Sequence, residues 1–308
     1  MEIIKERTMS NLHLGLQYLD KRMKLPIEDR NRLRNMEKGF QGEELFDSIV
    51  KQYLKGEAMM LNDLLLNVNG NTFQIDSLII TPTKVHLFEI KNFSGNFTNV
   101  EGQFNTQHGK VVNHPSIQLK KTRTLLNKLL QEWENDMHIE ANVVFVNPTF
   151  FLYQAKKTDP FIFNSQLEYY LGTVGTHKLF LNKQHAYLAE QLIQAQRFEA
   201  PYQKELPLYT FDNLDKGLSC PTCFNLTVTR NQRTAECRTC RKREPLHDVL
   251  RFNIRQHLYL FDQFPLTSSI ISDWVGGSVD KRVIARLLKN DYKRTGHSKG
   301  TVYLSDKK

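Results

Sequence analysis

Asp76 closes the run Phe73-Gln74-Ile75-Asp76, and further along Glu89 and Lys91 flank Ile90. Both stretches, 72–81 and 84–92, are apolar, rich in Ile, Val, Leu and Phe, with Pro82 between them. They read as two strands joined by a turn. Side chains alternate faces along a strand, so Val85, Leu87, Glu89 and Lys91 share one side of the second strand. Asp76 shares its side of the first with Leu78 and Ile80. Charges persist on such faces only when paired or bound to a metal. A divalent cation, Mg²⁺ or Mn²⁺, held by Asp76 and Glu89 with Lys91 alongside would satisfy all three groups. Magnesium prefers oxygen ligands and retains several waters. Bound there, it would orient and acidify a water and offset charge on a phosphate, the chemistry of phosphodiester cleavage. Lys91 would stand beside that water or stabilise the developing negative charge.

Two helices have to bring further groups to these strands. The stretch 39–54 has an apolar stripe of Phe46, Ile49, Val50, Tyr53 and Leu54. Glu43 falls on that stripe, whereas Glu44 falls with Asp47, Ser48, Lys51 and Lys55 on the wet face. A second helix over 116–134 lines up Gln118, Thr122, Leu125, Leu129 and Trp133, so the Gln118 amide points inward. Taken singly, each polar residue is an ordinary surface group. Their joint order along the chain is what carries the reading.

That order resembles a known family. Gly39-x-x-Gly42-Glu43, Phe73-Gln74-Ile75-Asp76, Phe88-Glu89-Ile90-Lys91-Asn92-Phe93-Ser94-Gly95, and Asn113-His114-Pro115 leading to Gln118 look like the NERD family. NERD is the nuclease-related domain, a branch of the PD-(D/E)xK nuclease superfamily. The resemblance covers about residues 39–150. It implies an α/β restriction-endonuclease-like core whose strand carboxylates bind magnesium and cleave nucleic acid. Asp76, Glu89 and Lys91 match the core positions, Glu43 the helix carboxylate and Gln118 the helix amide. Many relatives in the superfamily carry tyrosine four residues after that glutamine; here the position is Thr122.

A second chemistry-bearing pattern is Cys220-Pro221-Thr222-Cys223 followed by Cys237-Arg238-Thr239-Cys240. It uses every cysteine of the chain. Paired C-x-x-C knuckles of this kind suit a tetrahedral thiolate zinc site of the ribbon type. The site would be structural, its zinc contributing to the folding of a domain too small to bury much core. A pair of disulfides is the plainer alternative.

The last fifty residues hold a third pattern. The stretch 267–275 reads as a helix with Ile270, Ile271 and Trp274 inward, ended by Gly276-Gly277. Ser278 would cap a second helix over 279–290 that buries Val283, Ile284, Leu287 and Leu288. Its exposed face would carry Lys281, Arg282, Arg286 and Lys289. A basic hairpin around 296–300 follows, with Lys299 near its tip. The arrangement resembles a winged helix-turn-helix, whose second helix enters the major groove while the wing rides near phosphates. A small helical docking domain with a solvated basic face is the other possibility.

Charge agrees with a nucleic-acid partner. Residues 201–308 hold 19 Lys and Arg against 11 Asp and Glu, whereas 1–200 hold 23 against 22. The basic excess thus lies after the nuclease-like region. With no apolar run of about 18 residues there is no membrane span. The start, Met1 to Arg7, lacks the apolar core of a signal peptide, so a cytoplasmic location is expected. The expected organisation is a helical lead-in over 1–38, a NERD-like domain over 39–200, and a linker over 201–218. A zinc ribbon over 219–250 and a winged helix-like domain over 251–308 would follow. Together these point to a metal-dependent nuclease, a DNA endonuclease before an RNA-processing enzyme. The rival is a non-catalytic DNA-binding regulator that uses the nuclease fold as a platform.

Overall fold

The computed structural model describes residues 1–100, 102–176, 179–197, 205–296 and 301–304. They fall into two compact units, Met1–Met9 with Asn35–Gln203, and Ser10–Arg34 with Lys204–Lys308.

The first unit rests on a six-stranded mixed sheet. In spatial order it comprises β1 (Glu2–Lys5), β2 (Met59–Val68), β3 (Asn71–Ile80), β4 (Lys84–Lys91), β8 (His138–Phe145) and β10 (Phe161–Phe163). The β2–β3–β4 meander is antiparallel, and β4, β8 and β10 run parallel. Strand β4 is buried at every residue between Lys84 and Lys91 because both its faces are covered. Val85 and Leu87 meet α3 (Pro115–Glu132) and α5 (Lys183–Gln194) through Leu126, Leu129, Leu188 and Leu192. Phe88 and Ile90 meet α2 (Ile27–Tyr53) and α4 (Asn164–Thr173) through Phe46, Val50, Leu167 and Leu171. Phe88 is fully buried, so its truncation to alanine would cost about 3–5 kcal/mol. A second sheet, ordered β7 (Val111–Val112), β6 (Gln103–Thr106), β5 (Gly95–Val100) and β9 (Phe150–Tyr153), continues directly from β4. Stacking of Phe93 on Phe97, and of Phe145 on Phe150, pins the chain that leaves Lys91.

Two expectations change here. Residues 1–38 hold more than the expected helical lead-in: besides helix, β1 pairs in parallel with β2 at the sheet edge, and α1 (Asn11–Asp20) belongs to the second unit. Helix α2 begins at Ile27, with Glu28 and Asp29 in its first turn, where they complement the helix dipole. Its continuation past Gly39 and Gly42 is held by tertiary packing rather than propensity.

The second unit contains a three-stranded sheet of β11 (Val228–Arg230), β12 (Thr234–Cys237) and β13 (Arg243–Pro245). Helices α6 (Leu246–Leu260), α7 (Ser268–Trp274) and α8 (Lys281–Asp291) follow, then the hairpin of β14 (Lys293–Thr295) and β15 (Val302–Leu304). Leu266, between α6 and α7, bridges to Tyr303 of the hairpin. Trp274 is fully buried, with the Arg22 guanidinium 3.6 Å from its ring centroid. Arg22 also donates to the carbonyls of Asp215 and Gly217 and to Gln256. The described part of the expected linker is therefore packed: Leu214 and Leu218 are buried, and the Gly217 amide donates to Trp274. The expected boundary at residue 250 falls inside α6. Helix α8 is capped by Asp280, whose carboxylate accepts from the Arg282 amide, and not by Ser278. Val283 is exposed, whereas Val279 is buried.

Candidate active site and metal centre

The ladder between β3 and β4 runs from Ile80↔Val85 to Ser77↔Phe88 and stops. The next residues outward are Asp76 and Glu89. Where the strands part, the Ile90 amide loses its strand partner, and the Asp76 Oδ2 accepts it at 2.8 Å. On the other flank of β3, Asp63 and Asp76 form the gap in the β2–β3 pairing between Asn62↔Ser77 and Leu64↔Ile75. Asp63 has φ +50°, which a short polar side chain tolerates better than a branched one. Alternation slips here on both strands. Leu61 and Leu64 enter the same core, and so do Ile75 and Leu78. Asp76 thus sits at a break in the pleat, and its face-sharing with Leu78 and Ile80 does not hold as a simple alternation.

Glu43 arrives from α2, and a glycine sets how close. A Cβ on Gly42 would lie 2.4 Å from the Asn92 Cβ, so the helix could not approach the end of β4 with any other residue there. Asn92 fixes that approach, donating to the Lys38 carbonyl at 2.7 Å and accepting from Asn147 at 2.9 Å. Lys38 donates to Ser94 at 3.0 Å. The Glu-x-Lys-Asn-x-Ser run is therefore riveted to the helix that carries Glu43.

Lys91 lies 2.5 Å from the Glu89 Oε1 and 3.2 Å from the Gln118 Oε1. Gln118 is exposed on the first turn of α3 rather than inward, yet its amide oxygen reaches the lysine. Thr122 is buried. His114 caps the helix, accepting from the Ser116 amide, and Pro115 occupies the first turn.

The carboxylates disturb one another. Burial and then repulsion from Asp76 push Glu89 up to about 8, against the pull of Lys91. Burial and Asp76 likewise push Glu43 up to about 7, opposed by Arg7. Asp76 is also raised by burial, with Lys91, the Ile90 amide and Arg7 pulling the other way. Asp76 Oδ2, Glu43 Oε2 and Glu89 Oε1 are each committed to a protein donor, to Ile90, Arg7 and Lys91 respectively. The second oxygens of Asp76 and Glu89 carry no hydrogen bond among the described residues. Hard oxygen donors in a cluster short of positive charge fit Mg²⁺ or Mn²⁺, which one or two carboxylates hold together with water.

Three residues at this site carried no role in the sequence reading. Arg7 donates through Nε and Nη2 to Asp47, both at 2.9 Å, and through Nη1 to Glu43 at 3.0 Å and Asp63 at 2.9 Å. Asp47, expected on the wet face, is buried and also accepts from Asn62. The available signal was Asp63 itself, a lone acid inside Met-Met-Leu-Asn-Asp-Leu-Leu-Leu. Nothing local marks Arg7.

In the second unit the four cysteine sulfurs lie within 4.8 Å of one another, with Cys223–Cys237 at 3.5 Å and Cys220–Cys240 at 3.6 Å. All four are free. A disulfide needs ~2.05 Å, whereas a tetrahedron with Zn–S of ~2.3 Å has edges of ~3.8 Å. The knuckles share one backbone design. The amides of Phe224 and Arg241 donate to the Cys220 and Cys237 carbonyls, both at 2.9 Å, and both residues take positive φ. Burial pushes the Cys237 thiol up, but the Cys240 amide, the Thr227 hydroxyl and the Thr239 amide outweigh it and bring it to about 6. The lowering is confined to Cys237: Cys240 is raised, and burial pushes Cys220 up to about 12. Among the described residues this is the one group of three or more ligand-type side chains that converges so tightly. The donor set fits zinc.

Lys281, Arg282, Arg286 and Lys289 are all exposed on α8. Lys299 lies outside the described residues.

Residues 38–146 match the family model of the nuclease-related domain, NERD. That stretch contains α2 from Lys38 onward, the β2–β3–β4 meander, α3 and β8, and with them Glu43, Asp76, Glu89, Lys91 and Gln118. By this match the α/β core of the first unit is similar to the nuclease-related domain. No curated protein and no solved structure matches the chain. No helix among the described residues is long and apolar enough to cross a membrane.

Proposed function

We propose that the first unit is a Mg²⁺- or Mn²⁺-dependent phosphodiesterase acting on nucleic acid, and that the second unit delivers it to DNA. The observation that carries the reading is the trio of mutually repelling carboxylates, Glu43, Asp76 and Glu89, gathered beside Lys91 where β3 and β4 part. Asp76 and Glu89 would hold the cation, which when bound would acidify a water and offset phosphate charge. Lys91, tethered by Glu89 and Gln118, would place its ammonium against the phosphate oxygen that gains charge. Gln118 would keep that ammonium aimed outward from Glu89 toward the substrate. Glu43 would accept a proton from the attacking water, its carboxyl at about 7 being matched to that task near neutral pH.

Delivery rests on the second unit. Helix α6, the Leu266 bridge, α7, α8 and the β14–β15 hairpin follow one another in the order of a winged helix, with Leu266 as the short third strand. Four exposed cations on α8 suit a helix laid in the major groove. The four-cysteine site would hold structural Zn²⁺ and fix the ribbon ahead of α6. The test is cleavage of mixed DNA and RNA substrates with Mg²⁺ or Mn²⁺, wild type beside Glu89→Ala and Lys91→Ala, with Mn²⁺ binding measured in parallel. Metal-dependent DNA cleavage lost in both variants is expected. Equal cleavage by Glu89→Ala would refute the assignment.

A further inference from the structure

We propose that Arg7 is the built-in cation of this site. Its guanidinium fills the place a second divalent ion would take among Glu43, Asp47 and Asp63, so the cluster accepts one ion, at Asp76 and Glu89. This rests on the metal-dependent reading above and adds the number of ions and the residue that sets it.

The guanidinium is 3% exposed and makes four hydrogen bonds to three carboxylates from α2 and β2. Arginine's planar fork matches carboxylates in a fixed geometry and does not release its proton. A second ion would have to displace it from all three partners. The surrounding structure also holds those partners for arginine. The Thr8 amide donates to Asp63 Oδ2 at 3.0 Å, Asn62 donates to Asp47, and Lys5 donates to the Asn62 and Asp63 carbonyls. The positive φ of Asp63 turns its carboxylate into this arrangement.

Charge accounting gives the same count. Glu43, Asp47, Asp63, Asp76 and Glu89 are five carboxylates; Lys5, Arg7 and Lys91 are three cations. The deficit is two charges, which one divalent ion neutralises. A second ion bound without displacing Arg7 would leave the buried cluster with an excess of two positive charges, which such a site does not tolerate unpaired. Arg7 is therefore a positioning residue: it keeps Glu43 beside the ion without making it a ligand of another.

The experiment titrates Mn²⁺ into the zinc-loaded full-length protein, counting bound ions by calorimetry and by the electron-spin resonance signal of free Mn²⁺. Wild type should bind one Mn²⁺ per chain outside the cysteine site. Arg7→Met and Arg7→Gln, with zinc content and amide protection of β4 confirming the fold, should bind a second, weaker ion. Arg7→Lys should return the count to one. If Arg7→Met is folded only with metal, its recovery should follow a two-ion dependence on Mn²⁺. Two ions in wild type, or one ion in folded Arg7→Met and Arg7→Gln, would overturn the inference while leaving the metal site intact. Absence of any Mn²⁺ in wild type would overturn the metal reading itself.

Discussion

Replacing Glu89 by glutamine should make the metal-free protein more stable at pH 8.5 and less responsive to magnesium. Glu89 is 3% exposed, and burial with repulsion from Asp76 holds its carboxyl at about 8 against an ordinary 4.5. A carboxyl raised on folding keeps its proton better in the folded state than in the unfolded chain. Below pH 4.5 both states are protonated and there is no penalty. Between pH 4.5 and 8 the unfolded state ionises first, so stability falls as pH rises through that window. The gap between 4.5 and about 8 corresponds to ~5 kcal/mol if one group bears it alone. Glu43 and Asp76 share the repulsion, so a single neutral isostere should recover about 2 kcal/mol. For a unit of this size that is a rise of about 4–8 °C in Tm. The assay is urea and thermal unfolding of wild type and Glu89→Gln at pH 5 and pH 8.5 in magnesium-free buffer. Hydrogen exchange on β3 and β4 peptides separates the first unit from the second. The variants should nearly coincide at pH 5 and diverge at pH 8.5. At 100 times its Kd, Mg²⁺ should stabilise wild type by about 2.7 kcal/mol and the variant much less. A wild type that is the more stable protein at pH 8.5 without metal would refute the reasoning, because Glu89 would then be a satisfied structural ion pair with Lys91.

The other expectations can be checked directly. Gly42→Ala puts a methyl against Asn92, so the first unit should lose about 1–3 kcal/mol by overpacking, and the proposed metal-dependent cleavage should fall further than stability explains as Glu43 is pushed away. Cys237→Ser should lower zinc below one equivalent per chain by elemental analysis and expose β11–β13 to protease; a zinc-free but protease-resistant second unit would count against the metal site. Replacing Lys281, Arg282, Arg286 and Lys289 by alanine should flatten the dependence of log affinity on log salt by about 0.9 for each phosphate that is no longer neutralised. An unchanged slope would make α8 a protein-docking surface.

Much of the candidate site was legible because buried charge is conspicuous in an apolar strand. Asp76, Glu89 and Lys91 stood out by type and spacing, and Glu43 by its place on an apolar helical stripe. The cysteine knuckles were legible for a similar reason: four thiols in mirrored pairs carry their ligand geometry in local spacing. Helix α3, β3 and β4 were likewise announced by their apolar patterns.

What the tertiary structure alone decided is where distant segments meet. The first nine residues have no local signature of a sheet edge; β1 exists because β2 offers it a ladder, and Arg7 matters because that ladder delivers it to α2 and β2. Asp47 looked solvated because helical spacing assigns faces relative to one core, whereas here a second element covers the opposite face. The slip at Asp63 and Asp76 breaks the two-residue alternation on which any strand reading depends. Local pattern fixes which residues are able to do chemistry, because type and spacing are written in the chain. Which of them share a charge is set by pairings many residues apart, as for Arg7 and Asp63, and no window of sequence contains those.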